Sequence, residues 1–296
     1  MNSLKSLNRI FKESEEIIID DSSRIVLISD CHRGNGSFAD EFLRNENSYY
    51  SALNYYYNKD YIYIELGDGD ELWENSNMDE IINQHKHVFG VLSKFYNKNR
   101  LYFLYGNHDM VKKNDKFLKE NLYQYFNERD GNYVKLFENI KVHEGLVLKY
   151  KGGNKKVLLI HGHQVDFLNC KLWRVSRFLV RYLWRPLNNF GINDLTRPAK
   201  NYKKKRYITK SLTEWIEKEG QVLISGHTHR PSFPQEGSTP YFNTGSCVHP
   251  RCITAIEIYD GNISLVKWSV KTKNDGTLFI GRDILVGPEN LRGILN

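Results

Sequence analysis

Five short stretches of the chain combine Asp, Asn or His with Gly, and each directly follows an apolar segment. The stretches are Asp30-Cys31-His32, Gly67-Asp68-Gly69-Asp70-Glu71, Gly106-Asn107-His108-Asp109, His161-Gly162-His163 and Gly226-His227-Thr228-His229. Carboxylates, imidazoles and amide oxygens are metal ligands, and a set that mixes them suits Mn, Fe, Zn, Co or Ni better than Ca or Mg. A single stretch of this kind usually makes only a turn, whereas five of them together predict metal chemistry.

The apolar segments before these stretches are predicted strands, because they are short, aliphatic or aromatic, and end at turn residues. They are Arg24–Ser29, Tyr61–Leu66, Leu101–Tyr105, Val157–Ile160 and Val222–Ser225. A strand that stops in a turn presents its last side chains at the carboxyl edge of its sheet, where α/β proteins place their chemistry. We therefore expect the five polar stretches to lie at such an edge.

A helix is predicted after each of the first three strands. Apolar spacing predicts helices over Glu41–Asn58, Asp79–Tyr96 and Lys116–Phe126. The resulting β-α-β-α-β order is typical of a sheet with helices on its faces. Further predicted strands are a hairpin of Gly145–Tyr150 and Lys156–Ile160, then Tyr241–Asn243, Cys252–Tyr259, Ile263–Val270 and Thr277–Ile280. We expect an α/β fold in which residues 1–296 form one domain with two packed sheets and a helical insertion at about 164–220.

The bulk composition is that of an ordinary globular chain of 296 residues, with 40% hydrophobic and 26% charged residues. Residues Met1 to Asp20 lack the long apolar core of a signal peptide, and no segment is long and apolar enough to span a bilayer. We therefore expect a cytoplasmic location. None of the four cysteines belongs to a Cys-x-x-Cys pair, which argues against a structural zinc knuckle.

The net charge of +7 is concentrated in one region. From Gln164 to Gly220 there are thirteen Lys and Arg against five Asp and Glu, a local balance of +8, so the remainder of the chain is close to neutral. Apolar residues at helical spacing predict an amphipathic helix within Phe167–Phe190, and a second helix over Tyr207–Glu219 follows the basic cluster Lys203–Arg206.

This basic region has three possible roles. It is either a helical hairpin whose arginine ridge is merely solvated, or a lid over the metal site that binds an anionic, partly apolar substrate or a membrane surface. Contact with nucleic acid is the third, because basic and aromatic residues interleave. As a lid, it would place Arg174 and Arg181 in contact with substrate.

The ordered motifs D-x-H, GD-x-x-[DE], GNHD, HGH and GHTH, which run from Asp30 to His229, resemble those of the calcineurin-like metallophosphoesterase superfamily. The resemblance implies an αββα two-sheet sandwich with a dinuclear site at the strand ends. It also implies two divalent transition ions (Mn, Fe or Zn, with Mn the first choice) that activate a hydroxide for in-line attack on phosphorus.

Each motif residue takes an implied role from this resemblance. The implied ligands of one ion are Asp30, His32 and His229, those of the other are Asn107, His161 and His227, and Asp68 bridges the two ions. His108 would act as general acid toward the leaving oxygen, and Asp109 would orient its ring.

Several neighbours of the motifs have less definite roles. In the fourth motif the ligand of this family precedes the glycine, so His161 is the expected ligand and His163 stands behind it or near the substrate. Arg33 is either a contact to a phosphate or carboxylate or a solvated surface residue. Asp70 and Glu71 are expected to orient ligands or to begin a helix rather than to bind metal.

The insertion is also similar to the lid of the UDP-2,3-diacylglucosamine pyrophosphatase branch, although His163 and His108 stand where that branch has Asp and Arg. We therefore expect a metal-dependent phosphohydrolase that cleaves a phosphomonoester or phosphodiester of a small molecule, nucleotide or lipid. The alternatives are a pyrophosphatase for a nucleotide-linked lipid or sugar diphosphate, and an inactive scaffold that binds a protein partner.

Overall fold

The computed structural model describes residues 3–166, 177, 178, 180 and 202–296. The helices in these ranges are α1 (Ser3–Glu13), α2 (Glu46–Asn58), α3 (Met78–Gln84), α4 (Lys86–Asn97), α5 (Asp115–Asn121), α6 (Tyr202–Glu219) and α7 (Leu291–Leu295). The strands are β1 (Glu15–Ile19), β2 (Ile25–Ile28), β3 (Ile62–Leu66), β4 (Leu101–Leu104), β5 (Gln124–Asn127), β6 (Asn132–Lys135), β7 (Val142–His143), β8 (Gly145–Tyr150), β9 (Lys156–Ile160), β10 (Val222–Ser225), β11 (Tyr241–Asn243), β12 (Cys252–Tyr259), β13 (Asn262–Thr272) and β14 (Leu278–Asn290).

Most of the strands form two sheets. The larger sheet has seven strands in the order β14-β13-β12-β2-β3-β4-β7, and β2, β3, β4 and β7 run parallel. The smaller sheet has five strands in the order β1-β8-β9-β10-β11. In it, β8 and β9 form the predicted antiparallel hairpin, while β9, β10 and β11 run parallel.

Successive side chains of each strand point to opposite faces of its sheet, and this alternation defines the layers of the fold. In β2, Leu27 points into the apolar core between the two sheets, whereas Val26 points into the core under α2, α3 and α4. In the smaller sheet, Leu158 of β9 packs in the core with α1 and α6, whereas its neighbour Leu159 points into the core between the two sheets. The order of layers is therefore helices, sheet, sheet, helices. This confirms the predicted αββα sandwich.

Three predicted helices differ from the observed ones. The segment Glu41–Asn58 begins with a 3-10 turn capped by Asp40 before α2 starts. Asp79–Tyr96 is divided into α3 and α4 at His85, whose buried imidazole lies 3.1 Å from Asp40. The third predicted helix, Lys116–Phe126, corresponds to α5. It ends at Asn121 because Gln124–Asn127 pair with β6 as strand β5.

The basic region is described in part. Helix α6 begins at Tyr202, five positions before its predicted start, so the basic cluster Lys203–Arg206 forms its first turn. Most of the helix predicted within Phe167–Phe190 lies outside the described residues, as do Arg174 and Arg181. The lid and the single-domain organisation therefore stay predictions. Among the residues that the structure describes, none of the helices is both long and apolar enough to cross a membrane.

Trp215 of α6 is predicted to hold α1 and α6 together. Its ring is fully buried, meets Phe11 edge-on at 5.5 Å between centroids, and donates a hydrogen bond from Nε1 to Asn8 Oδ1 at 2.6 Å. We expect Trp215→Ala to lower the free energy of unfolding by about 3–5 kcal/mol in urea titrations, because it leaves a large cavity. Tyr207→Ala, at an exposed position of the same helix, is the control and should change stability by less than about 0.5 kcal/mol. Equal losses in both variants would contradict the assignment.

Candidate metal centre

The predicted ligands come together where the two sheets end. Asp30, Asp68 and Asn107 follow the parallel strands β2, β3 and β4 of the larger sheet, and His161 follows β9 of the smaller sheet. The loop after β10 adds the imidazoles of the fifth motif. Because neighbouring parallel strands end side by side, each sheet presents its polar side chains to the other.

One group of ligands consists of Asp30, His32 and His229, whose donor atoms lie within 4.8 Å of one another. Nε2 of His229 is 3.1 Å from Asp30 Oδ1 and 3.2 Å from Nε2 of His32. Two imidazole nitrogens and a carboxylate oxygen that face one point are a suitable ligand set for a divalent transition ion.

A second group consists of Asp68, His161 and His227, again with donor atoms within 4.8 Å. Oδ2 of Asp68 lies 3.1 Å from His161 Nε2 and 3.9 Å from Nε2 of His32, which belongs to the first group. Its other oxygen accepts a hydrogen bond from the backbone N–H of His108 at 2.8 Å. Asp68 thus lies between the two groups, where a bridging ligand is expected.

Unpartnered polar atoms test whether the residues fit a metal. Among the described residues, buried atoms without a hydrogen-bond partner include Asp30 Oδ1, His161 Nε2 and both amide atoms of Asn107. A buried polar atom without a partner is costly, and its partners are normally found nearby. Cations at the two groups would satisfy the oxygens of Asp30 and Asn107 and the ring nitrogen of His161, so the residues fit a metal centre.

Five of the predicted ligands have left-handed backbone angles that non-glycine residues rarely adopt. These residues are Asp30, His32, Asp68, His227 and His229, with φ between 50° and 68°. Such a conformation costs roughly 1–3 kcal/mol for a non-glycine residue and concentrates at functional sites. The backbone turns sharply at these positions and aims the side chains into the space between the sheets.

Glycines allow the strand ends to approach each other closely. A Cβ atom on Gly106 would lie 2.1 Å from Asp68 Oδ1, and one on Gly226 would lie 2.6 Å from Asp30 Oδ2. Gly67 has a φ of +88°, and a Cβ there would lie 2.7 Å from the backbone nitrogen of Gly106. No larger residue fits these positions without moving a ligand carboxylate or its backbone.

Neighbouring imidazoles keep the two central carboxylates ionised. Burial disfavours a charged carboxylate, but His229 and His161 outweigh it and hold the pKa of Asp30 below its ordinary value. His161 and His108 likewise hold the pKa of Asp68 well below its ordinary value against the effect of burial. Both carboxylates are therefore negative at neutral pH, as metal ligands need to be.

His108 is oriented by Glu71 rather than by Asp109, which corrects the predicted role of Asp109. Nδ1 of His108 lies 2.8 Å from Glu71 Oε1, and its ring stacks on Trp73 with centroids 4.2 Å apart. The second oxygen of Glu71 lies 2.9 Å from Nδ1 of His32. One carboxylate thus positions both a predicted ligand and the predicted acid, and the expected orienting role falls to Glu71.

Asp109 supports the backbone of the site instead. Its carboxylate accepts hydrogen bonds from the backbone N–H groups of Asp68, Gly69 and Gly106, and it pairs with Lys112 at 2.8 Å. These contacts join the loop after β3 to the loop after β4. The prediction failed because adjacency to His108 in the sequence does not determine which way a side chain at a turn points.

Arg33 does not contact the open face of the site, so the predicted contact with substrate is wrong. The side chain is fully buried, and its guanidinium bonds both carboxylate oxygens of Glu65 at 2.8 and 2.9 Å and Asp70 Oδ1 at 2.7 Å. The prediction of a solvated surface residue is also wrong, whereas the expected pairing with a carboxylate is confirmed. Arg33 and Asp70 belong to the packing beneath the ligands.

His163 is buried close to the second group. Its ring centroid is 5.4 Å from that of His161, its Nδ1 has no hydrogen-bond partner among the described residues, and burial together with His161 and His227 holds its pKa well below the ordinary value. The ring is therefore neutral. Its role behind the ligand or near the substrate stays a prediction.

Two supporting features complete the site. Asp166, which the motifs do not include, lies 3.3 Å from His227 Nε2 and 2.8 Å from Lys204 Nζ, and so connects a predicted ligand to α6. No spacing signal in the sequence pointed to it. On the other side, Ser246 Oγ and the backbone N–H of Cys247 donate hydrogen bonds to the carbonyl of Asp30, at 3.2 and 3.1 Å.

We predict that Gly106→Ala weakens metal binding, because its new methyl group displaces the Asp68 carboxylate. Mn²⁺ at 100 times its Kd stabilises a protein by about 2.7 kcal/mol, which thermal denaturation detects as a rise in Tm. The variant should lose most of that rise. Gly90→Ala is the control, since a Cβ there meets no atom within 4 Å and the position lies within α4. An unchanged Mn²⁺ response in Gly106→Ala would contradict the crowding argument.

The solved structures to which this chain is similar include the following three. An uncharacterised protein of Streptococcus pneumoniae, described as a predicted phosphoesterase, is 16% identical, with 88% of this chain and 97% of that chain covered and a TM-score of 0.35. Vps29 of Entamoeba histolytica complexed with zinc is also 16% identical, with coverages of 88% and 98% and a TM-score of 0.38. A putative 5′-nucleotidase of Staphylococcus aureus is 14% identical, with coverages of 88% and 53% and a TM-score of 0.36.

These structural likenesses are too distant to support a conclusion about activity, and the comparison with curated proteins found no match. The family assignment depends instead on a sequence model. The model described as calcineurin-like phosphoesterase matches residues 23–231, which is more than two thirds of the chain and includes all seven predicted ligands. The chain therefore belongs to the calcineurin-like phosphoesterase family.

Proposed function

We propose that this protein is a metal-dependent phosphohydrolase with two divalent transition ions, Mn²⁺ being the first candidate, and that it cleaves a phosphomonoester or phosphodiester. The main support is the convergence of two ligand groups around Asp68, with unpartnered buried donor atoms aimed between them. Membership of the calcineurin-like phosphoesterase family supports the same chemistry.

The two ligand groups indicate which residues would hold the ions. One ion would be held by Asp30, His32 and His229, and the other by His161 and His227, with Asp68 shared. The buried amide oxygen of Asn107, which has no hydrogen-bond partner, would also bind the second ion. When bound, such ions polarise phosphoryl oxygens and lower the pKa of water at the site. The ionised carboxylates of Asp30 and Asp68 would offset part of the positive charge of the bound ions.

His108 is the proposed proton donor to the leaving oxygen. Its hydrogen bond to Glu71 through Nδ1, together with the stacking on Trp73, fixes the ring and leaves Nε2 as the nitrogen that can donate a proton. His108 is half-buried, whereas its neighbours Asn107 and Asp109 are buried. A substrate at the site can therefore reach it.

Metal analysis combined with turnover tests the proposal. Protein purified without chelators should contain about two transition ions per chain and hydrolyse mono- or bis-p-nitrophenyl phosphate. Asp68→Asn should lose bound metal and lower kcat/KM by roughly a thousandfold or more, since it removes the shared ligand. Asp60→Asn is the control, because Asp60 also has a left-handed φ, of 59°, but its side chain is 83% exposed and belongs to none of the motifs.

The outcomes separate the alternatives. A preference for bis-p-nitrophenyl phosphate would identify a diesterase. Bound metal with turnover only on nucleotide-linked diphosphates would identify a pyrophosphatase. Protein that binds no ion and stays inactive after Mn²⁺ or Zn²⁺ is restored would overturn the enzyme proposal and leave a scaffold that binds a protein partner.

A separate prediction concerns the proton donor. His108→Asn should lower kcat by about 10²–10⁴-fold on an alkyl phosphate, whose leaving oxygen needs a proton, while the metal content stays the same. The loss should be much smaller on p-nitrophenyl phosphate, because p-nitrophenolate leaves readily without protonation. His87→Asn, at an exposed position of α4, is the control. Equal losses on the two leaving groups would exclude proton donation by His108.

A further inference from the structure

A cavity lies beside the loop that carries the predicted ligands His227 and His229. It has a volume of about 670 Å³ and lies between α6 and the segment that follows β10. Thr228, which lines it, stands between the predicted ligands His227 and His229, and Arg230, another lining residue, comes next in the chain. Lys204, in the first turn of α6, lies 2.8 Å from Asp166, whose carboxylate is 3.3 Å from Nε2 of His227. The packing of α6 therefore brings the cavity close to the metal centre.

The cavity is positively charged. Its lining includes four cationic side chains, Lys205, Arg206, Lys210 and Arg230, and no acidic one. Within the described part of the chain, three of them form no ion pair, and Lys210 lies 3.7 Å from an exposed Glu214 carboxylate. Burial and the nearby charge of Arg230 lower the pKa of Lys205. Like charges held this close together are stabilised by an anion between them.

The fold concentrates these charges on one side of α6. Tyr202, Lys205, Arg206, Thr209, Lys210 and Thr213 line the cavity, and their spacing of three and four residues places them on one helix face. The opposite face, with Ile208, Leu212 and Ile216, is buried against the smaller sheet. The position of the cations is therefore set by how the helix packs.

The remaining lining residues suit a phosphate on an organic group. Ser232 carries a hydroxyl that can donate to a phosphate oxygen, and Phe233 presents a ring. Lysine and arginine form strong charge-assisted hydrogen bonds with phosphate. A divalent cation would be repelled by this lining, and an uncharged group would leave its charges unbalanced.

We infer that this cavity binds a second phosphate group of the substrate, so that the physiological substrate is an organic phosphate ester with at least one phosphate besides the one that is cleaved. The inference depends on the proposed function for the hydrolysis at the metal centre. It assigns the cavity a separate task, which is to select esters that carry this additional charge.

A pair of chromogenic esters tests the inference. Thymidine 5′-(p-nitrophenyl phosphate) and its 3′-phosphorylated form release the same p-nitrophenolate and differ only in the second phosphate. We expect the wild-type protein to favour the 3′-phosphorylated ester by tenfold or more in kcat/KM. Lys205→Gln/Arg206→Gln should reduce this ratio to near one. Raising the ionic strength should also reduce it, because salt screens part-exposed charges.

The matched control is Lys203→Gln/Lys218→Gln, which removes two positive charges from the same helix at positions that do not line the cavity. The control should keep the preference. Equal kcat/KM for the two esters in the wild type, or an equal loss of preference in both double variants, would overturn the inference while leaving phosphohydrolase activity established.

Calorimetric titration with thymidine 3′,5′-bisphosphate gives a readout that needs no turnover. If neither ester is hydrolysed, tenfold weaker binding in Lys205→Gln/Arg206→Gln than in the control variant would support the phosphate site and count against the proposed diester hydrolysis. Absent binding, or equal binding in both variants, would overturn the phosphate site.

Discussion

A buried cluster of charges beneath the metal centre is the interaction on which the site depends. Arg33 pairs with Glu65 and Asp70, and Lys112 pairs with Asp70 and Asp109 at 2.6 and 2.8 Å. All five side chains are almost completely buried. Removing one partner of a buried ion pair costs about 3–5 kcal/mol, because the other charge is left without compensation. The cluster is therefore stable only as a complete unit.

This cluster joins the loops that carry the ligands. Arg33 belongs to the loop after β2, Asp70 to the loop after β3, and Asp109 to the loop after β4. Backbone hydrogen bonds from Asp30 to Gly67 and from His32 to Asp68 continue the pairing of the first two loops beyond their strands. The left-handed angles of the ligands are maintained by these surrounding contacts, so the ligand positions are set before any ion binds.

Much of this arrangement follows from local patterns in the sequence. Short apolar runs that end in Asp, Asn or His predicted the strands, and the carboxyl ends of those strands hold the two ligand groups. These inferences need only the short apolar pattern of a strand and the rule that parallel strands end at the same edge of their sheet. They do not require knowledge of which residues meet across the fold.

The parts that were not predicted depend on distant partners. The burial of Arg33 depends on Glu65, more than thirty positions away, and the orientation of His108 depends on Glu71 of another strand end. The break between α3 and α4 likewise coincides with contacts of His85 to Asp40 and Glu46. The sequence alone does not indicate such pairings, because the partners are far apart in the chain and are brought together only by the topology of the fold.

The pairing of β2 has a consequence for the order in which the protein assembles. Strand β2 lies between β3 and β12, with Leu27 opposite Ile256, and β1 pairs with β8. During synthesis β1 and β2 leave the ribosome long before their partners β8 and β12 exist, and pairings that are distant in sequence form slowly. Cys247, whose backbone N–H donates a hydrogen bond to the carbonyl of Asp30, also emerges late. The metal centre is therefore completed only when nearly the whole chain has been made, and a truncated nascent chain contains ligands without a site.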